Sequence, residues 1–92
     1  MPILEEKQIL AILDMLDNEF DSHAFIFEFM KSFPVVYTQR LYDLVDTSDP
    51  IRIFHAEIGK MLKRRNDIKA LGKDETINVR GLHSANEKWR KI

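Results

Sequence analysis

The 92-residue sequence has no cysteine, which excludes disulfides, thiolate zinc sites, thiol nucleophiles and iron–sulfur clusters together and suggests a reducing compartment. Three glycines and three prolines are too few for a collagen-like or low-complexity polymer. Long apolar runs are also missing. The longest, Ile9 to Leu13, falls far short of the ~20 residues a membrane span needs, and no basic segment followed by an apolar stretch opens the chain. A cytoplasmic protein with no membrane role is expected. What is present is 45% hydrophobic and 32% charged residues, enough apolar material to fold and too much for a disordered chain. At this length a chain buries roughly 60 to 65% of its unfolded surface, so residues 1–92 are expected to form a single domain.

A near-neutral total conceals a strong asymmetry. Residues 1–51 carry three basic residues against ten acidic ones, a balance of −7, whereas residues 52–92 carry eleven against five, a balance of +6. Such a dipolar chain points to polyanion binding by its basic part, or to two halves whose charges pair with each other.

Apolar spacing then divides the chain. Pro2, the acids Glu5 and Glu6, and Ile9, Ile12, Leu13, Leu16 and Phe20 predict a helix over about 3–18. Asp21 and Ser22 are good caps for a second helix over 22–33, carrying Phe25, Ile26, Phe29, Met30 and Phe33. Pro34 interrupts it, and Tyr37, Leu41, Leu44 and Val45 stripe a third segment that ends near Asp46. The run Thr47-Ser48-Asp49-Pro50 is a turn, a cap and a first-turn proline, opening a fourth helix over 50–66. After Gly72, residues 76–80 alternate with period two and read as a strand, residues 81–87 as a turn, and residues 88–92 as a return strand. Trp89 and Ile92 have opposite parity, so both cannot face inward from a regular strand. The expected fold class is α+β and mostly α, with four helical segments (the first three within 3–46) followed by a carboxy-terminal hairpin over 75–92. Ile12, Leu13, Leu16, Phe25, Phe29, Leu41, Phe54, Ile58 and Leu62 are its expected core.

Projected at 100° per residue, the fourth helix places Ile51, Phe54, Ile58, Met61, Leu62 and the stem of Arg65 on one side. Arg52, Ala56, Gly59, Lys60 and Lys63 fall on the other. Basic groups around two very small residues suit close approach to a nucleic acid, because small side chains admit the backbone while lysines reach phosphates. The alternative is a solvated lysine face with Gly59 placed for packing. The stretch Ile58-Gly59-Lys60-Met61-Leu62, followed by Ile77-Asn78-Val79-Arg80 and by Trp89-Arg90-Lys91-Ile92, resembles the recognition helix and wing of bacterial and phage winged helix-turn-helix modules, some of which lie at the ends of replicative primases and helicases. The resemblance covers roughly residues 46–92. It implies duplex DNA as ligand, with the third helix for positioning, the fourth in the major groove and the hairpin beside it.

On that reading Arg52, Lys60, Lys63, Arg80, Lys88 and Arg90 contact phosphates, while Ser84 and Asn86, with His83 beside them, contact phosphate or base edges. His83-Ser84-Ala85-Asn86 also fits ordinary turn chemistry, Arg80 also fits a pair with Glu87, and Trp89 fits a core position as well as a stacking one. No enzyme is expected. His23, His55 and His83 lack metal-ligand spacing, and no nucleophile set, glycine-rich phosphate loop, cofactor site or small-molecule substrate is implied. The competing reading is a protein-interaction or homodimerisation module. It rests on Phe27, which lies off the stripe of the second helix, so that apolar residues wrap more than half its circumference.

Overall fold

The computed structural model describes residues 4–92. Four helices and three strands follow in the order α1 (Glu6–Met15), β1 (Glu19–Asp21), α2 (Ser22–Ser32), α3 (Pro34–Asp43), α4 (Pro50–Lys63), β2 (Ile68–Ile77) and β3 (His83–Lys91). The expected class, α+β and mostly α, is met. The expected order is not, because β1 interrupts the helices and turns a two-stranded hairpin into a three-stranded antiparallel sheet ordered β1-β3-β2.

Local chemistry sets the helix ends. Glu5 and Gln8 form a reciprocal capping box ahead of α1. The Asp21 carboxylate accepts from the Ala24 amide to start α2, and the Asp49 carboxylate does the same from Arg52 to start α4, each at the residue the sequence marks. Pro34 and Pro50 occupy first-turn positions, where a missing N–H costs nothing. The elements are shorter than periodicity predicts: α1 begins at Glu6 and ends at Met15, α3 ends at Asp43, and α4 ends at Lys63. Pro2 and the expected start at residue 3 lie outside the described residues.

β2 departs most from expectation, beginning eight residues before the predicted strand and ending at Ile77. The segment around Gly72, which reads as a break, is instead a β-bulge. Ala70 pairs with Trp89 and Gly72 with Lys88, leaving Leu71 as the extra residue, while Gly72 takes φ 116°, which L side chains rarely adopt. The turn accordingly spans residues 78–82 rather than 81–87. It is closed by the Asn78 amide donating to the Leu82 carbonyl at 2.8 Å, with Gly81 at φ 79°.

The core lies where the helices meet the sheet. Phe25, Phe29, Phe54, Ile12, Ile58 and Leu62 are fully buried, and Phe29 packs edge-on against Tyr37 and Phe54. Leu16 and Leu41, expected inside, are half-buried at its margin. From the sheet, Phe20, Ile68 and Trp89 close the core. Trp89 is 2% exposed and its indole N–H donates to Ser22 Oγ at 3.0 Å, whereas Ile92 is 83% exposed, so the parity conflict resolves with Ile92 outward. No helix of the described residues is long and apolar enough to cross a membrane.

Candidate functional site

The outward face of α4 and the inner face of the hairpin form the walls of one groove of about 550 Å³. Because α4 buries Phe54, Ile58 and Leu62, its 3.6-residue period must turn Arg52, Ala56, Gly59, Lys60 and Lys63 away from the core, and all five line the groove. Lys73 and Arg80 come from the hairpin side, and Ile26, Ile51, Val79 and Trp89 supply an apolar floor. A Cβ built on Gly59 would meet nothing within 4 Å, so internal packing does not require glycine there.

Arg52, Lys60, Lys63, Arg80, Ser84 and Asn86, singled out from the sequence, all line this groove, but not in equivalent states. Lys60 and Lys63 make no ion pair among the described residues, and neither does Lys73, which lies beside the Gly72 break and is not among the residues singled out from the sequence. The Arg80 guanidinium instead pairs with the Asp49 carboxylate at the amino end of α4, which also lies 3.7 Å from the Arg52 side chain. This is not the Glu87 partnership considered for Arg80. Glu87 accepts from the Gly72 amide at the bulge. Beside Arg80, the Asp49 carboxyl is held below the usual carboxylate range.

Lys88 and Arg90 are not in the groove. Strand parity explains this, because Trp89 points into the core and its two neighbours must point to the opposite face. There Glu19 of β1, in register with Arg90, takes Arg90 at 2.9 Å and Lys88 at 3.6 Å. Arg65 is likewise taken by Glu6 and Asp67. Pairing between the two halves of the chain is therefore part of the charge asymmetry, and the groove holds three of the cations left unpaired among the described residues, Lys60, Lys63 and Lys73.

Ser84 and Asn86 lie within β3 and not at a turn. Asn86 is 8% exposed; its amide donates to the Asp74 carbonyl and to Thr76 Oγ1, and its Oδ1 accepts from the His23 amide at 3.0 Å. His23 sits with Nδ1 2.8 Å from Thr76 Oγ1 and Nε2 3.3 Å from Ser84 Oγ, and Asn78 donates to the same hydroxyl. This network fixes the hairpin to the amino end of α2. His83 is exposed beside it.

Two groove-lining groups had no signal in the sequence, since only folding brings His23 and His55 near the hairpin. Burial holds both imidazoles toward the neutral form, lowering His55 to about 4, and the Tyr37 hydroxyl lies 2.7 Å from His55 Nε2. Among the described residues, no three His, Asp or Glu side chains converge as a metal site would require.

Phe27 is 44% exposed on α2, outside the core. Compared with known proteins, the chain matches no family model, no curated protein and no solved structure.

Proposed function

We propose that the chain is a nucleic-acid-binding domain of the winged helix-turn-helix type that takes duplex DNA on the basic face of α4 with the hairpin beside it. The observation carrying this reading is the convergence of Arg52, Lys60, Lys63, Lys73 and Arg80 from two separate elements on one groove. Cations that fold together in this way, with several left unpaired, are the electrostatic footprint of polyanion binding. Gly59 adds support. A glycine inside an exposed helix face costs about 1 kcal/mol relative to alanine, and close approach of a ligand to the backbone accounts for one that packing does not need. The order of elements supports it as well: α3, a turn over residues 44–49, α4 and then the hairpin.

Fluorescence anisotropy with a labelled mixed-sequence duplex tests the reading. About four phosphate contacts correspond to a log–log salt slope of roughly −3 to −4. The double change Lys60→Glu and Lys63→Glu should weaken binding to all sequences alike and make that slope shallower by about two. Changing Lys88 and Arg90 to Ala should leave affinity within about twofold, because both face Glu19. An undetectable interaction at low salt would sink the proposal.

A second reading, self-association through α2, is favoured by the exposure of Phe27 on a helix whose other large side chains are mostly covered. It is compatible with the first, since a dimer would present two half-sites.

A further inference from the structure

The proposed interface contains its own competitor for phosphate. Asp49 caps α4, and its carboxylate also holds Arg80 from the hairpin tip and lies beside Arg52. One acidic group thereby occupies two of the five groove cations, those nearest the amino end of α4, while Lys60, Lys63 and Lys73 are left unpaired among the described residues. The pair also has a mechanical role. Arg80 lies in the turn over residues 78–82, so its attachment to Asp49 bridges the hairpin wall to the helix wall at that end of the groove. The tip's other hold on the body is apolar, through Val79 packed against the core, and its remaining polar bonds converge on Asn78, with the Arg80, Gly81 and Leu82 amides all donating to that residue.

We propose that the Arg80–Asp49 pair is an autoinhibitory latch, in which Asp49 withholds Arg80 and Arg52 from a weakly held polyanion and releases them only when nucleic-acid phosphates displace its carboxylate. This rests on the nucleic-acid reading and adds its regulation. Physical chemistry sets the direction. A duplex presents one charge per ~1.7 Å of axis, so several phosphates can compete with one carboxylate for the same guanidinium groups, whereas an isolated anion cannot. The three lysines engage first, and the latch then opens at the cost of one ion pair. The binding face is thus graded, with unpaired cations at one end and guarded ones at the other.

Asp49→Asn is the informative variant, because asparagine retains the cap of α4 while losing the charge. It should bind the labelled duplex about three- to tenfold more tightly than the parent chain and steepen the salt slope by about one unit. Asp46→Asn removes the same formal charge three residues away without touching Arg80, and should change affinity by less than twofold. In an Arg80→Ala background the gain from Asp49→Asn should shrink to the size of the Asp46→Asn effect. Equal effects of the two Asn variants would overturn the latch while leaving duplex binding intact, since the gain would then be general charge relief. So would a gain that persists without Arg80. Parent and Asp49→Asn chains that both fail to bind duplex, with thermal melting showing both folded, would overturn the nucleic-acid reading and the latch with it.

Discussion

Asn86 shows how a residue chosen for one chemistry serves another. An asparagine between Ser84 and Glu87 reads as a turn residue or a base contact, yet its amide group joins Asp74, Thr76 and His23 across two strands and a helix. Replacing it with Ala removes partners from a part-buried amide, a part-buried carbonyl and a hydroxyl at once, for a loss of roughly 1–3 kcal/mol. Chemical denaturation of Asn86→Ala should show a lowered midpoint with an unchanged slope, and duplex affinity under folding conditions should stay within about twofold. Lys88 and Arg90 teach the reverse. Trp89 in the core sends its immediate neighbours to the opposite face, but alternation does not run the length of β3, because Asn86, of the same parity as Lys88, is buried against α2. Their partner Glu19 was not legible in the sequence, lying 71 residues from Arg90.

At the scale of elements, what could be read was whatever depends on neighbours within a few positions. α4 is the clearest case: cap, first-turn proline, buried stripe and basic face all follow from local chemistry and a 3.6-residue period. β1 was invisible because a three-residue strand has no pattern of its own and exists through Glu19, Phe20 and Asp21 pairing with residues 88–90. The first half of β2 was hidden for another reason. Its residues after Ile68 are exposed on both faces, so no alternation marks them, and a bulge glycine imitates a turn. α2 is the amphipathic helix with an apolar surplus, and the self-association reading is tested there. Phe27→Asp should convert a sedimenting dimer to monomer while leaving the melting transition within a few degrees, because the side chain lies outside the core. Unfolding of this variant, or a parent chain that sediments as a monomer at all concentrations, would end that reading.

For the molecule as a whole, the asymmetric charge divides into paired and unpaired shares. Arg65 with Glu6, Arg80 with Asp49, and Arg90 and Lys88 with Glu19 all join the acidic half to the basic half. The carboxylates of these pairs are solvent-screened, so the pairs position elements more than they stabilise them. The larger pH dependence comes from the groove. His55 titrates near 4 in the folded state against an ordinary value of about 6.5, so the unfolded chain binds the extra proton between those limits. Its contribution to stability is complete above pH 6.5 and is lost as pH falls toward 4, and His23, shifted in the same direction, adds to the trend. Carboxylates held low by arginine, such as Glu6 and Asp67, extend the loss at still lower pH. Thermal melting should therefore be nearly flat above pH 7 and decline from pH 6.5 downward. His55→Gln should show a shallower decline between pH 6.5 and 4.5; an unchanged slope would place the titrating group elsewhere.

The position of β3 between β1 and β2 bears on how the chain is made. Helices α1 to α4 leave the ribosome before β2 and β3. The surface they share is closed by Trp89, and the strand that carries it is also the one on which both other strands depend for pairing. A nascent chain halted at residue 82 therefore lacks the strand that covers the helices' shared apolar surface. During that interval of translation this surface stays open to solvent, and a premature stop before β3 should yield a fragment prone to proteolysis and not a smaller working domain.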